Sequence, residues 1–221
     1  MRFADRADAG RRLAERLAAY RDRDPLILAL PRGGLPVAAE IAAKLQAPLD
    51  VVVARKIGVP GQPELAMGAL VDLDAPIVVR NAPVIRAARI DAKTFESARL
   101  RALAELEAAR RRLVGVRPRA EIAGRVVILV DDGVATGATA RAALQALRQR
   151  HPQCLTLAVP VAPAEVAAAL SREVDDFVCL ETPTRFGAVS GFYVRFAQVD
   201  DDEAAAILAR FPPRPAAVDM R

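Results

Sequence analysis

"VILVDDGVATGATARAAL", residues 127–144, sets the fold. Its apolar start continues a run from Val126 to Val130 and reads as a fully buried strand. From Ala140 onward the residues favour a helix. Residues 131–139 must therefore turn strand into helix, and Gly133 and Gly137 allow backbone conformations and close approaches that a side chain would forbid. Further apolar runs at 26–30, 50–54, 76–79, 154–159 and 176–180 read as strands. Helix-period segments lie at 8–20, 35–46, 86–113, 138–150, 163–171 and 202–210. The alternation implies crossover units, hence an α/β fold with a mainly parallel central sheet flanked by helices on both faces. Ligands of such sheets bind at the carboxyl ends of the strands, so the turns that follow strands are where chemistry is expected.

The 131–139 turn has the groups for one kind of ligand. The N–H groups of Thr136, Gly137, Ala138 and Thr139 lie at a helix start, where unsatisfied donors and the helix dipole favour a phosphate, and two threonine hydroxyls add further bonds. Asp131 and Asp132 carry the wrong sign for phosphate, but adjacent carboxylates accept hydrogen bonds from a pair of sugar hydroxyls. Together these groups specify a ribose 5-phosphate. A nucleotide-binding loop of the Walker type would need Lys before its Ser or Thr, where this turn has Ala138 and Thr139, and the dinucleotide spacing G-x-G-x-x-G is absent.

Hydrophobic residues followed by Asp131-Asp132, three residues, Thr136-Gly137, one residue and Thr139 resemble the phosphoribosyl pyrophosphate (PRPP) signature of the type I phosphoribosyltransferases. The resemblance implies that Asp131 and Asp132 hold the ribose hydroxyls, and that Ala135, Thr136, Gly137, Ala138 and Thr139 hold the 5-phosphate. A second strand–turn–helix, "LALPRGGLPVAAEIA" at 28–42, sets Arg32 beside Gly33 and Gly34, a cation with exposed amides suited to an anion. It resembles the pyrophosphate loop of the same family, which implies a non-proline cis peptide between Pro31 and Arg32. Arg55 and Lys56 follow the 50–54 run and open a Gly/Pro-rich stretch, 55–75, expected to be a mobile loop that closes over pyrophosphate. "VVVARKIGVPGQPELAMGAL" further resembles a bacterial group of predicted phosphoribosyltransferases; that likeness extends nearly end to end, whereas the type I core likeness covers about 24–180.

The family resemblance implies transfer of the 5-phosphoribosyl group of PRPP to a nitrogenous, nucleobase-like acceptor with release of pyrophosphate. Asp131, Asp132, Arg32 and Lys56 are then the catalytic candidates, with Mg²⁺ as the cofactor. The metal is expected to ride on the substrate, with no direct protein ligand and Asp131 or Asp132 contacting it through water. Relatives that use 6-oxopurines carry Asp where this chain has Ala135, which weakens a hypoxanthine or guanine assignment. Val134, Phe192 and Tyr193 are candidates to touch the acceptor, the two rings by stacking on a flat base. An alternative from another class is a PRPP- or nucleotide-sensing regulator of the same fold.

Size and composition fit this reading. The 221 residues, 53% hydrophobic, suit a single domain over 1–221, with the core at about 24–180 and a small hood from about 183–211 and the N-terminal segment. Phe186, Phe192, Tyr193 and Phe196 concentrate there and suggest a cap over the sheet. The basic excess, 32 Lys+Arg against 27 Asp+Glu, suits an anionic ligand but is dispersed, and aromatics are 4%, so nucleic acid is not expected as a partner. The cluster of Arg110, Arg111 and Arg112 with Arg117 and Arg119 reads as a solvated helix end. No run suits a membrane span and the charged N-terminus does not resemble a secretory signal, so the expected location is the cytoplasm; a homodimer is admitted. Cys154 and Cys179 read as small core residues, Asp72 and Asp74 as an acidic turn, and Asp200 to Glu203 as a helix cap.

Overall fold

A computed structural model of the chain describes residues 2–73, 75–115 and 117–212. After helix α1 (Arg6–Arg16) and a 3₁₀ turn at Ala18–Arg23 come strand β1 (Leu26–Ala29), helix α2 (Gly34–Leu45) and strand β2 (Leu49–Val51). Strands β3 (Ala54–Val59), β4 (Gln62–Val71) and β5 (Ile77–Arg80) follow, then helices α3 (Ala82–Ala87) and α4 (Ala92–Val114). The second half alternates β6 (Val126–Val130), α5 (Ala138–Arg148), β7 (Cys154–Val161), α6 (Ala164–Leu170) and β8 (Asp176–Glu181), and ends with a 3₁₀ turn at Val189–Phe192 and α7 (Asp201–Ala209). No helix among the described residues is long and apolar enough to cross a membrane.

The central sheet is parallel, in the order β2-β1-β6-β7-β8. Continuous apolar strands are what a sheet covered on both faces requires, and side-chain alternation divides each strand between two cores. Val126, Ile128 and Val130 pack with Leu35 and Ile41 of α2 and Leu106 of α4. Val127 and Leu129 pack on the opposite face with Leu144 and Leu147 of α5 and Leu170 of α6. Each such side chain contributes about 1.5–3 kcal/mol by leaving water.

From β1 the chain steps outward to β2, and from β6 it steps the other way to β7 and β8. The order therefore reverses between two strands that lie side by side in register from Leu26↔Val127 to Ala29↔Val130. A crevice at their carboxyl ends is where ligands of such sheets bind. Both turns singled out in the sequence leave from these two strands.

Four expectations need correction. The 55–75 stretch is the hairpin β3–β4, and residues 76–79 fall in β5, which joins it in a separate antiparallel sheet instead of the central one. The alternation that buries Ile57, Val59 and Met67 was masked by Gly58, Pro60, Gly61 and Pro63: register shifts fall on both sides of Gly58, and Gly61 takes φ 78° at the bend. The helix expected over 86–113 is two helices, because Arg89 turns left-handed at φ 51° and Asp91 caps a new start by accepting from the Thr94 N–H at 2.7 Å. Of the arginine cluster, Arg111 and Arg112 are exposed in the last turn of α4 as a solvated helix end would have them, but Arg110, Arg117 and Arg119 are not of that kind. Arg110 is buried and donates to Asp72 at 2.9 Å, Arg119 donates to the same carboxylate at 2.6 Å, and Arg117 donates to the carbonyls of Leu49, Leu208 and Phe211. Asp74 lies outside the described residues. Cys154 and Cys179 are free and half-buried, and Asp200 caps α7 by accepting from the Glu203 N–H.

Candidate active site

The turn after β1 is tied to the turn after β6 from its first residue. The Leu30 N–H donates to the Val130 carbonyl at 2.8 Å, and the Pro31–Arg32 peptide that follows is cis. Gly33 and Gly34 then start α2, and their lack of a side chain is spatial necessity. A Cβ on Gly33 would overlap the Asp132 carboxylate, and one on Gly34 would stand 2.8 Å from the Val130 carbonyl oxygen and 3.0 Å from Asp131 Cα. The glycine pair and the acidic pair thus face one another across the crevice.

In the 131–139 turn, Gly133 takes φ 153° and packs against Val189 and Val161, and the Val134 N–H donates to the Val161 carbonyl at 2.8 Å. Gly137, at φ 78°, is the residue before α5, so the amides beside it are among those a helix start leaves without intrahelical acceptors. Ala135, Thr136, Ala138 and Thr139 are exposed around it. This exposed cradle has the form of an anion site.

The two acids are half-buried, and their own contacts are few. Asp131 Oδ1 accepts the Asp132 N–H at 2.9 Å, and Asp132 Oδ2 accepts from Arg6 Nε at 2.7 Å. Burial, and then the neighbouring Asp132 charge, hold the Asp131 carboxyl well above the usual carboxylate range. Burial raises Asp132 too, with the Arg6 hydrogen bond opposing it. The sequence held no signal for Arg6, which comes from the first position of α1, 126 residues away.

A cavity of about 510 Å³ opens here, lined by Arg6, Arg32, Gly33, both acids, Thr139 and residues 196–199. A neighbouring cavity of about 340 Å³ shares Arg32 and Thr139 with it and adds Arg55. A third, of about 760 Å³, shares Arg55 and Thr139 with the second and adds Lys56, Arg80 and Arg141. The cations singled out in the sequence therefore line adjoining cavities along the carboxyl edge. Arg32 is paired with Asp201 at 3.3 Å, and Lys56 with Glu64 across the hairpin at 2.8 Å, all four side chains well exposed. Such exposed pairs are worth about 0–1 kcal/mol each, so an arriving anion can exchange with them at little cost.

Two acceptor candidates are corrected by burial. Val134 is 3% exposed and belongs to the core. Tyr193 is 4% exposed, packs between Phe3 and Phe196, and donates its hydroxyl to the Asp132 carbonyl at 2.5 Å. Its ring offers no free face for a base; it holds the acidic turn. Phe192 is half-buried and stacked on Phe186, with centroids 5.5 Å apart. Residues 196–199 form the wall that faces the cavity instead.

Residues 4–197 match the profile of the phosphoribosyl transferase domain family. Two curated Mycobacterium tuberculosis proteins, of strains CDC 1551 / Oshkosh and ATCC 25618 / H37Rv, carry phosphoribosyl transferase as a provisional name and are 46% identical over 208 residues. The alignment takes in 94% of this chain and 46% of each relative, so the chain spans about half the length of the curated relatives it matches. The crystal structure of TT1426 from Thermus thermophilus is 40% identical, with a TM-score of 0.82 over 96% of this chain and 100% of that one. By the extent of that profile match and the identity of these relatives, the chain belongs to the phosphoribosyl transferase domain family.

Proposed function

We propose that the chain transfers the 5-phosphoribosyl group of PRPP to a nitrogenous, nucleobase-like acceptor and releases pyrophosphate. The observation that carries this reading is the meeting of two turns where the strand order reverses: Asp131 and Asp132 with an open helix start on one side, and Arg32 with the Gly33–Gly34 pair against them on the other. On this reading the acids accept from the ribose hydroxyls. The amides and hydroxyls of Ala135, Thr136, Gly137, Ala138 and Thr139, exposed at all but Gly137, hold the 5-phosphate, and Arg32, Gly33 and Gly34 receive the pyrophosphate.

Departure of pyrophosphate leaves positive charge on the sugar, so the residues have to position the substrate and neutralise charge more than attack it. Arg32, Arg55 and Lys56 offset the charge of the leaving group, and the hairpin that carries Arg55 and Lys56 is the element to exclude water if it closes. The adjacent carboxylates of Asp131 and Asp132 fit a Mg²⁺ brought by the substrate, one of them reaching it through water, and such an ion would neutralise the pyrophosphate. The reading is tested by incubating the chain with PRPP, Mg²⁺ and a panel of nucleobases and related heterocycles, and following pyrophosphate release. Release that depends on one acceptor supports it, and no turnover with any member of a broad panel counts against it.

Arg32 offers a sharper check within this reading. Arg32→Ala is expected to weaken PRPP about tenfold or more while leaving ribose 5-phosphate within about twofold, because only PRPP presents the group that Arg32 would hold. Calorimetric titration of both ligands decides it, and equal losses would remove Arg32 from the pyrophosphate subsite.

A further inference from the structure

Arg6 belongs to none of the sequence motifs, yet among the described residues it is the one side chain from outside the acidic pair that hydrogen-bonds to a carboxylate of the pair. Its guanidinium is held on three sides. Nε donates to Asp132 Oδ2 at 2.7 Å, Nη1 donates to the Ala197 carbonyl at 2.6 Å, and the group lies 3.8 Å from the centroid of the Phe196 ring. The Arg6 and Asp132 side chains are 11% and 14% exposed, so water competes weakly for the pair.

The segment that carries Arg6 is itself fastened to the aromatic layer. The Phe3 N–H donates to the Phe192 carbonyl, Phe3 and Ala4 carbonyls accept from Val194 and Arg195 N–H, and Asp5 pairs with Arg195 at 2.6 Å. Tyr193 of the same layer donates to the Asp132 backbone carbonyl. Asp132 is thus gripped at its carboxylate by Arg6 and at its main chain by Tyr193, both borne on one unit.

The oxygens of the acids can be accounted for. Arg6 takes Asp132 Oδ2 and the Asp132 N–H takes Asp131 Oδ1, while the second oxygen of each acid receives no hydrogen bond from outside the pair among the described residues. One oxygen per acid is what a vicinal diol needs. We propose that Arg6 is a positioning residue of the ribose subsite, fixing Asp132 so that the oxygens of the pair that no outside group occupies are presented to the sugar. This rests on the reading of the turn as a ribose 5-phosphate site. The same geometry would also suit a plug that the sugar has to displace, and the two roles predict opposite changes in affinity.

The experiment titrates the full chain, with Mg²⁺ present, with ribose 5-phosphate, PRPP and inorganic pyrophosphate, using wild type, Arg6→Gln and Arg6→Lys. Arg6→Gln is expected to weaken both sugar ligands about tenfold or more and pyrophosphate less than about twofold, since pyrophosphate has no diol. Arg6→Lys should recover part of the loss, because an ammonium can pair with Asp132 but cannot reproduce the two-acceptor fork of a guanidinium. If Arg6→Gln does not fold, Arg6→Lys carries the test, with an intermediate loss confined to the sugar ligands. Tighter sugar binding in Arg6→Gln would mean a plug and overturn the inference. So would unchanged affinities, or equal losses for all three ligands, which would mark a merely structural role. Wild type that binds neither sugar ligand would overturn the ribose reading and this inference with it, whereas a wild type that binds both leaves the variants to decide the role of Arg6 alone.

Discussion

Replacing Asp131 and Asp132 together by Asn is expected to raise the PRPP dissociation constant by about a hundredfold or more. Each carboxylate accepting a sugar hydroxyl contributes about 1.5–3 kcal/mol, and an amide oxygen accepts without the charge. Calorimetry with Mg²⁺ present measures the loss, and undiminished affinity would refute the ribose assignment. The pH dependence follows from the same geometry. Burial holds both carboxyls above the usual range, and the Asp132 charge adds to it at Asp131, so the acceptor-only form that a diol requires is completed only as pH rises past that range. Wild-type affinity should therefore climb with pH through this window.

The effect of Asp131 on stability has the opposite sign. An acid whose folded pKa lies above its unfolded value binds more protons in the native state, so its stabilisation is present at low pH and lost as pH rises through the folded pKa. Among the described residues no cation hydrogen-bonds to Asp131. Asp131→Asn alone should accordingly melt higher than wild type at pH 8, with the advantage vanishing as the pH falls below the ordinary carboxylate range. A variant that binds PRPP poorly yet melts higher marks a site whose charge is kept for a ligand and not for the fold. A lower melting temperature at pH 8 would contradict this account of the pair.

How much of this was legible in the sequence depended on the range of the physics involved. Val126 to Val130 could be read as a buried strand, and five of the six such runs supply the five-stranded parallel sheet, 76–79 being the one that does not. The acidic and glycine-rich turns could be read because their chemistry lies within nine residues. The hairpin was hidden because Gly58, Pro60, Gly61 and Pro63 carry turn signals through segments that are nonetheless paired strands. Tyr193 reads from the sequence as a ring of the cap that could stack on a base, whereas its burial against Phe3 depends on a bridge formed across 190 residues. Arg6 gave no signal, since a lone arginine at a helix start looks like many others until the tertiary fold sets it against Asp132.

Asp72 shows the same dependence on long-range contact, and its substitution should be the most damaging to stability of those considered. It follows β4 directly, with its N–H donating to the Val53 carbonyl at 2.8 Å, and its side chain is 3% exposed. Both carboxylate oxygens are occupied, one by Arg110 of α4 at 2.9 Å and the other by Arg119 at 2.6 Å. The Arg110 side chain is 7% exposed, so Asp72→Ala would strand its charge where water cannot replace the lost partner. Breaking one side of a buried pair costs about 3–5 kcal/mol, which for a domain of this size is a fall of about 6–20 °C in Tm. Because a buried pair repays little more than its own desolvation, Asp72→Leu combined with Arg110→Met should recover much of the loss, a coupling that a double-mutant cycle reads directly. The residue fastens the β3–β5 sheet to α4 without lining the cavity that holds the acids, so PRPP affinity measured well below the lowered Tm should stay near wild type. Additive losses in the double variant would show that Arg110 is satisfied elsewhere and that the pair is not what holds this sheet in place.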